Sequence, residues 1–129
     1  MQQLQFEDAW KRTISDQDRK LIYQVFNDTV IDTSSTIKVS NVRHDTNHKE
    51  EELMISIIHN FSESNFTLSN CYIEYLENKT VIATHQLHFP TLTIPAHTSM
   101  PWTFIFPKES FEQQPSWELG ELRIGEGAK

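Results

Sequence analysis

The chain has 129 residues, 37% apolar and 22% charged, with eight Phe, three Trp and three Tyr. This is globular rather than disordered composition, and a chain of this length buries roughly 65–70% of its unfolded surface as one domain, with no need of a disulfide or metal. The formal net charge of -7, with no Lys/Arg cluster to reverse it locally, argues against nucleic acid or an anionic membrane surface as a partner.

Residues 1–14 carry Phe6, Trp10 and Ile14 at spacings of four, which fits a short helix or an arm laid on the body of the domain. Ser15-Asp16-Gln17-Asp18 reads as a helix start, with Ser15 as cap and two acids at the positive end of the dipole. Leu21, Ile22, Val25 and Phe26 form its apolar stripe, and the helix should end near Asn27-Asp28. From residue 36 the period becomes alternating. Ile37 and Val39 open a strand to about His44, and residues 45–51 form a polar hairpin loop. Leu53, Ile55 and Ile57 then alternate with Met54 and Ile58 on the opposite face, the pattern of a central strand. Phe66 and Leu68 begin a strand that continues through Cys71, Ile73 and Tyr75. Its parity changes after Leu68, which predicts a bulge. Asn78 is placed to take a left-handed turn conformation. Val81, Ala83, Leu87 and Phe89 line one face of the next strand.

Residues 91–107 organise the rest. Leu92 and Ile94 share one face of a short strand that Pro95 ends. Trp102, Phe104 and Phe106 share one face of a second strand, opened by Pro101 and stopped by Pro107. Such an aromatic stripe has to be covered by a second layer. A helical turn or loop at 108–114 leads to a last strand holding Trp117 and Leu119. Gly120 there shifts the parity so that Leu122 and Ile124 continue its face. About seven short strands at ten-residue spacing predict an immunoglobulin-like antiparallel β-sandwich over residues 36–124, with an N-terminal arm and helix over 1–30.

Chemistry is sparse. His85 and His88 point to opposite faces of a strand, and His44 and His48 lack diagnostic spacing, so no metal site is expected. His59 and His85 share faces with apolar residues and read as hydrogen-bonded histidines at the core edge. No nucleophile elbow or phosphate loop occurs, and Asp16/Asp18 and Glu50-Glu51-Glu52 read as cap and loop carboxylates. Neither catalytic residue nor cofactor is expected. The lone Cys71 cannot form an internal disulfide and reads as a buried thiol. Asn27, Asn60, Asn65 and Asn78 each head an Asn-x-Ser/Thr triplet, read here as turn residues. The start is neither basic nor apolar enough for a signal peptide, and no run approaches the ~20 apolar residues of a membrane helix. The expected location is the cytoplasm.

The stretch Leu92-Thr93-Ile94-Pro95-Ala96-His97-Thr98-Ser99-Met100-Pro101-Trp102-Thr103-Phe104-Ile105-Phe106-Pro107 resembles the signature of the SLAP domain of accessory Sec system S-layer assembly proteins of Gram-positive bacteria. Ala9-Trp10, Ile14 to Arg19, Asn47-His48-Lys49, Ile58-His59-Asn60 and Trp117 with Leu119 add to the likeness, which runs from about residue 4 to 124. Its family-like positions are Trp10, Ile94, Pro95, Ser99, Pro101, Trp102, Phe104, Phe106, Pro107 and Trp117. The resemblance implies an accessory factor, cytoplasmic or peripheral at the inner face of the membrane, that helps the accessory Sec ATPase export S-layer proteins. Members commonly carry the domain twice, and this sequence has one copy.

Residues and resemblance together point to a non-catalytic protein-interaction module whose partner is the accessory Sec ATPase or its exported client. His97, Ser99 and Met100, read as exposed connection residues, are the candidate contacts. Two rivals stand beside it. In a cell-wall or carbohydrate-binding sandwich, Trp102 and Trp117 would stack on sugar rings; the third reading is a self-associating structural domain.

Overall fold

A computed structural model describes residues 2–29, 36–117 and 120–126. In chain order these form β1 (Gln3–Leu4), α1 (Asp8–Thr13), α2 (Asp16–Asp28), β2 (Ile37–Thr46), β3 (Glu52–Asn60), β4 (Phe66–Glu77), β5 (Thr80–Ile94), β6 (Thr98–Phe106), a 3-10 turn at Lys108–Ser110, and β7 (Gly120–Glu126). The strands make two sheets, ordered β1-β6-β3-β2 and β5-β4-β7. Every neighbouring pair is antiparallel except β1 on β6. The fold is thus mainly β, a two-sheet sandwich with helices at its N-terminal end.

Local chemistry accounts for the helices. The Ser15 hydroxyl accepts the Asp18 amide at 3.1 Å, which satisfies one of the free donors of α2. Past the helix, the Thr29 amide closes on the Phe26 carbonyl. Ile22 is fully buried, and with Phe6 and Ile57 it forms a small core on the outer face of the four-stranded sheet. Leu4, Trp10, Ile14, Val25 and Phe26 pack around these three. The N-terminal arm therefore lies on the body of the domain, as a two-residue strand followed by a one-and-a-half-turn helix. Arg43 of β2 also grips Asp18 with two hydrogen bonds, at 3.0 and 3.1 Å. That guanidinium holds the Asp18 carboxyl below the usual carboxylate range.

The main core lies between the sheets. Met54, Ile58, Leu68, Cys71, Ile73, Tyr75, Leu87, Leu92, Ile94, Met100, Phe104 and Phe106 are all buried in it. β3 runs between β6 and β2 and is apolar on both faces because both are covered. Met54 and Ile58 meet the opposite sheet, while Ile57 meets the helical arm. The bulge in β4 falls where the parity change placed it, between Leu68 and Cys71, with Asn70 left-handed at φ 56°. Asn78 and Lys79, at φ 52° and 66°, make the tight β4–β5 turn.

Several expectations need correction. The two strands read at 81–89 and 91–94 are one long strand, β5. β4 passes from Thr67 opposite Thr93 to Leu68 opposite Phe89, so residues 90–92 form a bulge at Pro90 within the strand. Phe89 is 41% exposed rather than core. Pro101 does not open β6 but sits inside it, buried and opposite Ile57. The ladder explains its tolerance. Gln3 and Gln5 donate to the carbonyls of His97 and Ser99, so the next rung toward β1 would need an N–H from residue 101. Proline has none, and the parallel pairing ends there. Pro95 and Pro107 do bound their strands. Trp117 precedes the last strand rather than lying in it, with φ 62°. Leu119 lies outside the described residues. In β7 a Cβ at Gly120 or Gly125 would overlap the ring of Tyr75 or Tyr72, so both glycines make room for aromatic side chains of β4.

Candidate functional site

The stretch from Ile94 to Pro107 forms the end of β5, a turn, and the whole of β6. Its turn is held from beneath by the end of β3. The Asn60 side chain is fully buried and donates to the carbonyls of Ser64, Ile94 and Pro95 at 2.8, 3.0 and 3.2 Å. Its oxygen accepts from the amide and hydroxyl of Ser62. The Asn65 side chain accepts the Ala96 amide. Two of the four Asn-x-Ser/Thr triplets thus serve to tie the 61–65 connection to the Ile94–Ala96 turn, work that suits Asn because one side chain both donates and accepts.

His59 is the second tie. Its Nδ1 lies 2.7 Å from the Ser99 hydroxyl and its Nε2 2.9 Å from that of Ser40. Gln2 donates to the same Ser99 hydroxyl at 3.0 Å and to the Asn60 carbonyl at 3.1 Å. One network therefore links β6, β3, β2 and the segment leading into β1. A serine beside a histidine is also the smallest nucleophile–base unit. Here Ser99 and His59 are both fully buried, and hydroxyls rather than a carboxylate hold both ring nitrogens. The geometry is that of a cross-link between strands. Gln2 and Ser40 carried no signal in the sequence; His59 did, through its place on an apolar face.

This burial has a measurable consequence. Desolvation, with the Lys38 ammonium adding to it, pushes His59 from its ordinary 6.5 down to about 4. Between those values the unfolded chain takes up a proton that the folded chain refuses, so stability falls as pH drops through that window. The displacement corresponds to at most about 3 kcal/mol. Urea midpoints measured from pH 7 to pH 4 should decline in the wild type, and His59→Gln should flatten that decline; parallel slopes would contradict the assignment.

Of the three expected contact residues, the structure exposes only His97. It occupies the turn at φ 54°, its amide bonded to Ser62 and its carbonyl to Gln3. Ser99 is fully buried and Met100 is 3% exposed. The connection is shorter than it reads: β6 already begins at Thr98, where β1 pairs with Ser99 and the core between the sheets takes Met100. Phe104 and Phe106 are core, as their shared face predicts. Trp102 shares that face but is only half-buried, with its ring edge-on to the exposed Phe89 at 5.5 Å. Trp10 packs beside Ile22 in the outer cluster.

A second built feature lies at the opposite seam, where β2 approaches β7. The half-buried Trp117 ring stacks on His44 at 4.1 Å and 18°, and touches Tyr75 and Phe111. Glu77 holds it there. That buried carboxylate accepts the amides of Ser116 and Trp117 and the hydroxyls of Ser116 and Tyr75, at 2.8–3.2 Å. Burial alone would raise the Glu77 carboxyl. The hydrogen bonds from Ser116, Tyr75 and Trp117 together outweigh it and leave the group below its ordinary value. Clefts of about 320 and 560 Å³ flank the indole. Asn41, His44 and Tyr75 line the smaller; Glu52, Phe111 and Gln113 are among those lining the larger. Among the described residues no group of three His, Cys, Asp or Glu side chains is placed to hold a metal ion. None of the described helices is long and apolar enough to cross a membrane.

These features define a small, mostly antiparallel β-sandwich with an N-terminal strand-and-helix arm, built around a proline-bracketed strand, β6, that the two-residue β1 flanks at one end. Compared with known families, residues 4–121 match the family model described as the SLAP domain, and the chain belongs to that family. No curated protein and no solved structure matches it.

Proposed function

We propose that this protein is a non-catalytic interaction module that assists export of S-layer or related surface proteins. It acts in the cytoplasm or at the inner face of the membrane and binds the accessory Sec ATPase or that enzyme's exported client. The observation that carries this reading is the SLAP match over residues 4–121, nearly the whole chain. The physical chemistry agrees with it. The serines bonded to His59, Ser99 and Ser40, are spent with it on cross-linking strands, and an acidic protein with sheet edges is suited to capturing extended or basic polypeptide.

Affinity capture with the immobilised protein against the purified accessory Sec ATPase, and against its clients, tests the proposal. Specific retention of one of them is expected. No enrichment over a scrambled-surface control would refute it. The clefts beside Trp117 favour a second reading, a carbohydrate-binding sandwich, because a half-exposed indole among amide and carboxylate side chains suits sugar rings. Cell-wall glycans that shift the tryptophan emission in titration would support that reading instead.

A further inference from the structure

The sheet edges of this molecule are unequally defended. β2 carries Lys38, Arg43 and Asp45, and β7 carries Glu121 and Arg123. β5 is interrupted at Pro90, and Phe111 and Glu112 lie along it at Ile82 and Ala83. Charges, prolines and covering segments are the usual devices that stop an edge from pairing with another chain. β6, Thr-Ser-Met-Pro-Trp-Thr-Phe-Ile-Phe, has no charged residue along its length.

Beyond Ser99 its outer side is also unpaired among the described residues. The carbonyls of His97 and Ser99 accept from Gln3 and Gln5, so the odd-numbered residues of β6 direct their backbone groups away from β3. Continued alternation aims the amides and carbonyls of Thr103 and Ile105 the same way. Among the described residues no strand pairs with β6 there beyond Ser99. Large apolar side chains lie nearby on both faces. Ile105 is 47% exposed on the outer face, and the Trp102–Phe89 pair lies at the seam on the inner one. β1 demonstrates that this edge takes an extended segment in parallel, until Pro101 interrupts it.

We propose that β6 from Trp102 to Phe106 accepts an extended segment of a partner polypeptide as an added strand, bonded through Thr103 and Ile105. This rests on the reading of the protein as an interaction module and gives that module its docking site. The occupant is a heterologous, uncharged or basic segment with apolar side chains at alternate positions. The window between Pro101 and Pro107 is five residues, about 17 Å of strand, too short for the roughly 800 Å² per partner of a stable subunit interface. A second copy would also bring a second charge of -7 to the contact.

A synthetic peptide of alternating valine and threonine with a lysine at each end is the probe, read by amide hydrogen exchange on the full chain. Protection should appear at Thr103 and Ile105, and Ile105→Lys should weaken binding about tenfold or more. Thr103→Pro, which removes an outward donor and leaves the β3 side of the ladder intact, should do the same. Urea midpoints of both variants check that they fold. Unprotected Thr103 and Ile105 amides with peptide present, or equal binding by Ile105→Lys, would overturn the proposal. So would protection that grows with protein concentration in the absence of peptide, which would indicate a second copy. The two readings fail separately. If the captured export partner binds Ile105→Lys undiminished, the edge is wrong and the interaction module stands; if no partner is captured while the peptide still protects the edge, the reverse holds.

Discussion

Phe104→Ala should cost this domain about 3–5 kcal/mol, much of the 5–15 kcal/mol that typically separates folded from unfolded domains. Phe104 is 1% exposed and stands on β6 among Met54, Met100 and Phe106, where the two sheets meet. Removing its ring gives up the transfer free energy of a large apolar group and leaves a cavity that rigid strands on both sides close poorly. The strand itself does not depend on the ring, because β6 is bonded to β3 along nine residue pairs. Phe104→Leu should therefore recover most of the loss, at a cost of roughly 1–1.5 kcal/mol. Urea unfolding followed by far-ultraviolet circular dichroism measures both. An alanine variant within 1 kcal/mol of wild type would mean that the sheets do not pack through this residue.

Glu77→Ala should cost about 3 kcal/mol, since hydrogen bonds to a charged group contribute roughly 1.5–3 kcal/mol and their loss strands buried donors. Trp117 adopts φ 62°, an unfavourable conformation for a bulky side chain, and the Glu77 carboxylate is what its amide and that of Ser116 are bonded to. Without that anchor the indole should leave His44, and its emission should shift to the red. Glu77→Gln keeps an acceptor but loses the charge, and should fall between wild type and alanine. The pH dependence separates this carboxylate from His59. Glu77 titrates lower in the folded state than its ordinary 4.5, so the stability it contributes is present above that value and is lost as pH falls below it. The His59 loss is spent between 6.5 and about 4. Glu77→Gln should remove only the more acidic leg of the curve. A Glu77→Ala variant with unchanged midpoint and emission would show that the 115–117 segment is held by other contacts.

The elements that were legible in the sequence are those written in local patterns. The alternation of β3, the Ser15 cap, the parity break after Leu68 and the left-handed Asn78 each need only a few neighbouring residues to be read, and each appears in the fold. The errors share a different cause. Pro101 reads as a strand opener because proline lacks a donor, but a missing donor matters only on the side where a neighbour strand continues, and that neighbour is residues 3–5, almost a hundred positions away. Ser99 and Met100 read as exposed connection residues because the turn is shorter than the residue types suggest; the same distant strand covers Ser99, and the opposite sheet covers Met100. Trp117 reads as strand, yet its backbone is left-handed and its amide is bonded to the buried carboxylate of Glu77.

What the sequence by itself determined is the class of fold, the positions of β2, β3 and β4, the aromatic stripe of Phe104 and Phe106, and the family. These follow from side-chain alternation and from a motif of contiguous residues. The structure alone decided where β6 lacks a neighbour among the described strands, which histidine is buried, and which carboxylate holds the C-terminal indole. Each of these is a property of groups far apart in the chain. Whether a backbone amide is paired, or an imidazole dry, depends on which strand lies beside it. That neighbour is selected by the total burial of the sandwich, not by the residues on either side.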